Sequence, residues 1–151
     1  MIKNKVIQPL AAFTLIEVLV VATIIIVLTA ISVASFSTAN KSAKDAKRKS
    51  DMETVRQAMV LYKAQEGSYP LFATYSATSF TSVAAALITG PGGRSYLSPP
   101  APTDPMSTNP YFGRSTATTF CFCAILDSTT KGNSGADCSF SATTHYCVRQ
   151  P

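Results

Sequence analysis

From Val18 to Phe36 the chain carries no charged residue, and the run is built mainly of Val, Ile, Leu, Ala and Thr. Nineteen such residues in a helix rise about 28 Å, close to the roughly 30 Å of a bilayer's hydrocarbon core. A helix that is apolar on every side needs an apolar surrounding on every side. The same helix has no reason to stop where the apolar run ends. No Gly or Pro occurs between Leu10 and Glu66, so one helix from Phe13 to Glu66 is expected, spanning about 80 Å. Gly67 suits its C-terminal cap, and Pro70 bars continuation.

The second half of that helix has a different character. Met52, Val55, Met59 and Tyr62 recur at helical spacing and form one apolar stripe, expected to pack against a sheet. The charge pairs Asp45–Lys49, Lys47–Asp51 and Lys49–Glu53 lie four residues apart, which suits an exposed face. The basic run from Lys41 to Lys49 is accordingly read as a solvated helix face, with contact to lipid phosphates or DNA as the alternative.

The net charge of +5 is concentrated around this helix. Lys3 and Lys5 contribute +2 and Glu17 contributes −1. Residues 41–66 hold seven basic and four acidic side chains, or +3, and residues from Gly67 onward hold four and three, or +1. The globular part is thus nearly neutral, and the basic pI of 9.1 does not by itself indicate nucleic-acid binding.

Beyond Gly67, the stretch Thr81–Ile88 reads as a short helix ended by Gly90-Pro91-Gly92-Gly93. Tyr111–Arg114, Thr118–Leu126 and Thr144–Val148 read as strands, rich in aromatic and β-branched residues. Pro99 to Pro110 is expected to be an ordered loop or a linker, and Ser128–Gly135 a polar connection. The expected class is α+β: a long N-terminal helix packed against a small antiparallel sheet.

Cys121, Cys123, Cys138 and Cys147 cluster beyond the apolar run, which favours disulfides in an oxidising compartment. A soft-metal site using Cys-x-Cys and His145-x-Cys147 is the competing arrangement. On one strand, Cys121 and Cys123 would share a face with Cα atoms about 6.5–7 Å apart, too far to bond each other. A nested or a crossed pairing remains. An antiparallel return favours the nested one, Cys123–Cys138 and Cys121–Cys147.

We find no catalytic constellation, and the chain is not expected to be an enzyme. It has one histidine, His145. Its Gly90–Gly93 run lacks the Lys-Ser or Lys-Thr of a phosphate-binding loop. No cofactor is expected. Calcium is the one alternative, but Asp104, Asp127 and Asp137 are widely spaced and form no carboxylate-rich loop.

Glu17 is the odd member of the apolar segment. A carboxylate costs about 2.5–3.5 kcal/mol at a bilayer centre, and such residues either find a partner or snorkel to water. The string Ala12-Phe13-Thr14-Leu15-Ile16-Glu17-Val18-Leu19-Val20 resembles the processing and methylation motif of type IV pilins and type II secretion pseudopilins. Asp45–Asp51, Leu61-Tyr62-Lys63, Gly67-Ser68-Tyr69-Pro70, Tyr96–Pro100 and Thr103-Asp104-Pro105 extend the likeness towards the major pseudopilins.

The resemblance implies cleavage by a prepilin peptidase between Ala12 and Phe13, N-methylation of Phe13, and an assembly role for Glu17. The family most often has Gly before the cut, where this chain has Ala12. Four regions follow: a basic leader (1–12), a transmembrane or filament-core half-helix (13–37), an amphipathic half-helix (38–66) and a globular region (67–151). The implied product is a single-pass inner-membrane precursor, assembled with identical subunits by a membrane platform into an extracytoplasmic pilus-like filament. A secretion pseudopilus is the first alternative, and a membrane-anchored protein capturing DNA or a surface is the second. An ordinary secretory signal, cut after Ser32-Val33-Ala34, is a further alternative.

Overall fold

The structure, a computed structural model, describes residues 13–106, 109–133 and 143–150. It is α+β, with a long N-terminal helix and a four-stranded antiparallel sheet. Helix α1 runs Leu15–Glu66. The chain divides into two compact units, the first ending at Ala39 and the second beginning at Asn40.

In the first unit, α1 is exposed at every residue whose burial is described. Fourteen large apolar side chains from Phe13 to Phe36 are each at least 48% exposed. Three of its hydroxyls bond backbone carbonyls within the helix. Thr23 donates to the Val20 carbonyl, Thr29 to those of Ile25 and Ile26, and Ser32 to that of Leu28. These three hydroxyls therefore need no water, which suits a helix placed in hydrocarbon. Its best 18-residue window has a mean hydropathy of 2.7, so this helix is long and apolar enough to cross a membrane.

In the second unit, α1 buries Met52, Val55 and Met59 completely, with Tyr62 partly buried against the same core. The helix stops where expected. The Gly67 N–H bonds the Lys63 carbonyl at 2.9 Å with φ at +81°, a left-handed cap that glycine adopts without strain.

Strands β1 (Phe72–Ser76), β2 (Phe112–Ser115), β3 (Phe120–Ile125) and β4 (His145–Arg149) pair in that order. Helix α2 (Ala77–Ile88) follows β1 directly. It begins four residues earlier than the apolar pattern predicts, because Ser76 caps it by accepting from the Ser79 N–H. Strand β1 is an addition to the three expected strands. Thr116 and Thr119 close the β2–β3 hairpin through paired backbone and hydroxyl bonds.

The sheet has two chemically distinct faces. Phe120, Phe122, Ala124 and Val148 join the α1 stripe and the α2 residues Phe80, Val83, Ala84 and Leu87 in one core. Gly113 lies opposite Phe122, and a Cβ there would overlap that ring. Cys121 and Cys123 form a second buried cluster with Tyr75, Phe112 and Cys147.

The expectation of a solvated charged face over Lys41–Lys49 holds for Lys41 and Lys47, which are exposed, and is corrected at Asp45 and Arg48. Arg48 is fully buried, and Asp45 and Asp51 are nearly so. Residues 45, 48, 52, 55, 59 and 62 repeat at spacings of three and four, so Asp45 and Arg48 continue the buried stripe. Of the three expected pairs only Lys47–Asp51 forms, at 2.6 Å. Asp45 turns to Arg48, Glu53 pairs with Arg56, and Lys49 donates to the Lys131 carbonyl.

Candidate assembly site

The start of α1 is built by its own sequence. Thr14 precedes the first helical residue, and its hydroxyl and carbonyl both accept from the Glu17 N–H, at 3.4 and 3.1 Å. Thr14-x-x-Glu17 is thus the spacing of a capping box, with the acid three residues into the helix. A carboxylate in the first turn is also favoured by the positive end of the helix dipole. Glu17 therefore has a local stabilising role that the sequence reading, which weighed only a partner or the water interface, did not include. Its signal was the Thr-x-x-Glu spacing itself.

Phe13, Glu17, Val18, Val21, Ala22 and Ile25 line a shallow depression on this helix. The Glu17 carboxylate is its one charged group, and no side-chain hydrogen bond or ion pair holds that carboxylate among the described residues. Chemically, this is an acceptor with aliphatic walls, suited to a cation that also carries apolar surface. Phe13 is 80% exposed. Ala12 lies outside the described residues.

The acids considered for calcium have another occupation. Arg48 donates to Asp104 at 2.6 Å and Asp45 at 2.9 Å, and lies 3.2 Å from Asp127. Asp45 also accepts from the Asp127 and Ser128 N–H groups. Burial alone would lower the Arg48 pKa. The hydrogen bonds to Asp104 and Asp45, the Asp104 charge and the Asp127 bond outweigh it and hold the guanidinium above its ordinary value. Asp104 and Asp127 thus face a protein cation, and Asp137 lies outside the described residues.

Next to this cluster, Asp51 accepts from Tyr111 at 2.8 Å. Burial, then that bond and the Asp51 charge, push the Tyr111 phenol well above its usual range. His145 shares a hydrogen bond with Thr144 and packs edge-on against Phe112.

The expected disulfides, Cys123–Cys138 and Cys121–Cys147, are overturned: Cys123 bonds Cys147. The nested pairing required the inner cysteine to return opposite Cys123. Strand β4 instead carries Cys147 and places it directly across from Cys123, with Cα atoms 4.1 Å apart. The register is set on the core face, where Val148 lies opposite Phe122 and Tyr146 opposite Ala124. Cys121 is also disulfide-bonded, and Cys138 lies outside the described residues.

Comparison with protein-family models, curated proteins and solved structures returned no match.

Proposed function

We propose that this chain is the precursor of a structural subunit of a type IV pilus-like filament, and that α1 residues 13–37 form the filament core. The observation supporting this most is the exposed apolar half-helix headed by Phe13 and Glu17. Burying fourteen such side chains is worth on the order of 20 kcal/mol or more. That exceeds the roughly 5–15 kcal/mol stability of a typical domain, so water is not the resting solvent of this surface.

A bilayer satisfies the aliphatic side chains but not Glu17. A filament of identical helices satisfies both, because cleavage before Phe13 gives each neighbour a cationic amine carried on an apolar residue. At about 4 Å and an effective dielectric near 20, such a pair gains roughly 4 kcal/mol. The insertion cost of a carboxylate is about 2.5–3.5 kcal/mol, so the pair offsets it. The leader 1–12 is removed by a prepilin peptidase, and Phe13 is N-methylated. A membrane platform then extracts the subunit.

Intact mass and N-terminal sequencing of the mature protein test processing: Phe13 should be first, with one added methyl. A chain beginning at Ser35 would refute it. Replacing Glu17 with Ala should leave membrane insertion intact and reduce filament yield at least tenfold. Undiminished filament yield would show that the carboxylate acts only as a helix cap.

A further inference from the structure

The sheet face opposite the core presents an ordered array. Across β2, β3 and β4, Arg114, Cys121 and Arg149 lie in one row, and Phe112, Cys123 and Cys147 in the next. Directly paired residues project on the same face. Three sulfurs therefore converge, all within 4.8 Å of one another, with Cys121 Sγ 3.8 Å from Cys123 Sγ. Cys121 and Cys123 are buried, and the aromatic rings of Tyr75 and Phe112 pack against them.

We propose that in its reduced form this face binds one thiophilic divalent cation such as Zn(II), held by the Cys121, Cys123 and Cys147 thiolates. With Zn–S bonds of about 2.3 Å, sulfurs around a tetrahedral ion lie about 3.8 Å apart. Cys121 and Cys123 already stand at that separation. Cys147 reaches it by rotating its side chain away from Cys123 once their bond is broken. The three-thiolate complex carries a net charge of −1. Arg114 and Arg149, of opposite charge, are paired to either side of Cys121.

The electron count is simple. Each disulfide takes two electrons from a dithiol, which leaves as its own disulfide, and metal binding then releases three protons from the cysteines. The newly made chain, before oxidation, holds the same thiols and needs no reductant. Metal and disulfide are thus mutually exclusive states of one site, and the filament reading is not needed for either.

The test uses the full chain, reduced with a dithiol, separated from it and titrated with Cd(II) as a spectroscopic probe and Zn(II) as competitor. A sulfur-to-cadmium charge-transfer band should saturate at one equivalent and be displaced by Zn(II), and the oxidised chain should give none. Outer-shell changes cost metal sites roughly 10–100-fold in affinity, so loss of a ligand in Cys121→Ser or Cys147→Ser should cost at least about 100-fold. Wild-type affinity in both Cys121→Ser and Cys147→Ser would overturn the site, as would a band from the oxidised chain. Near-ultraviolet circular dichroism supplies a second check, and loss of the tyrosine signal on reduction alone would also overturn it.

Discussion

Replacing Arg48 with Ala should destabilise the globular unit by about 4 kcal/mol. Arg48 is wholly buried, and its guanidinium meets the carboxylates of Asp45, Asp104 and Asp127. Removing one partner of a buried ion pair costs about 3–5 kcal/mol, because the other charge stays buried. Here three carboxylates are left, which argues for the upper end. Against that, Asp45 keeps the N–H groups of Asp127 and Ser128, Asp104 keeps that of Met106, and Asp127 is partly solvated. These opposing effects place the loss near the middle of the range.

Urea unfolding of the full chain in nonionic detergent, followed by near-ultraviolet circular dichroism of the tyrosines, would measure it. Lys47→Ala is the matched control. It breaks an ion pair of equal length, but Lys47 is 62% exposed, so the loss should stay below about 1 kcal/mol. A loss under about 1 kcal/mol at neutral pH, equal to the control, would refute the idea that the acids depend on this guanidinium.

Gly113→Ala should cost about 2 kcal/mol or more, read as a lowered thermal midpoint, because the new methyl meets the fully buried Phe122 ring and the Cys121 carbonyl; an unchanged midpoint would show that the ring can swing aside. Burial raises the phenol pKa of both Tyr75 and Tyr111. A proton held more tightly in the folded state stabilises it below the unfolded value of about 10, and that stability is lost as pH rises further. Absorbance titration should therefore show these two phenols ionising only together with unfolding, and free titration near pH 10 would count against their burial. Non-reducing peptide mapping should recover Cys123 joined to Cys147. The loop of 24 residues they close is worth about 3.4 kcal/mol in the chain-entropy model. A Cys123–Cys138 peptide would reject the observed register.

What the sequence determined by itself is what near neighbours along the chain decide. A helix without Gly or Pro, an apolar run lacking charge, the Met52–Val55–Met59 stripe and the Gly67 stop all depend on residues within one or two turns. Strand β1 and the first turn of α2 were less legible, because the Ser76 cap and the pairing of Phe72–Ser76 with β2 override a weak local pattern. Only tertiary structure decided which charges are buried. Arg48 carries the same local signal as Lys47 and Lys49, yet its partner Asp104 is 56 residues away. Burying a guanidinium is favourable only once the fold delivers acids to it. The cysteine pairing was decided in the same way. Counting residues leaves three connectivities open, whereas packing Val148 and Phe122 into the core sets the β3–β4 register that brings Cys147 opposite Cys123.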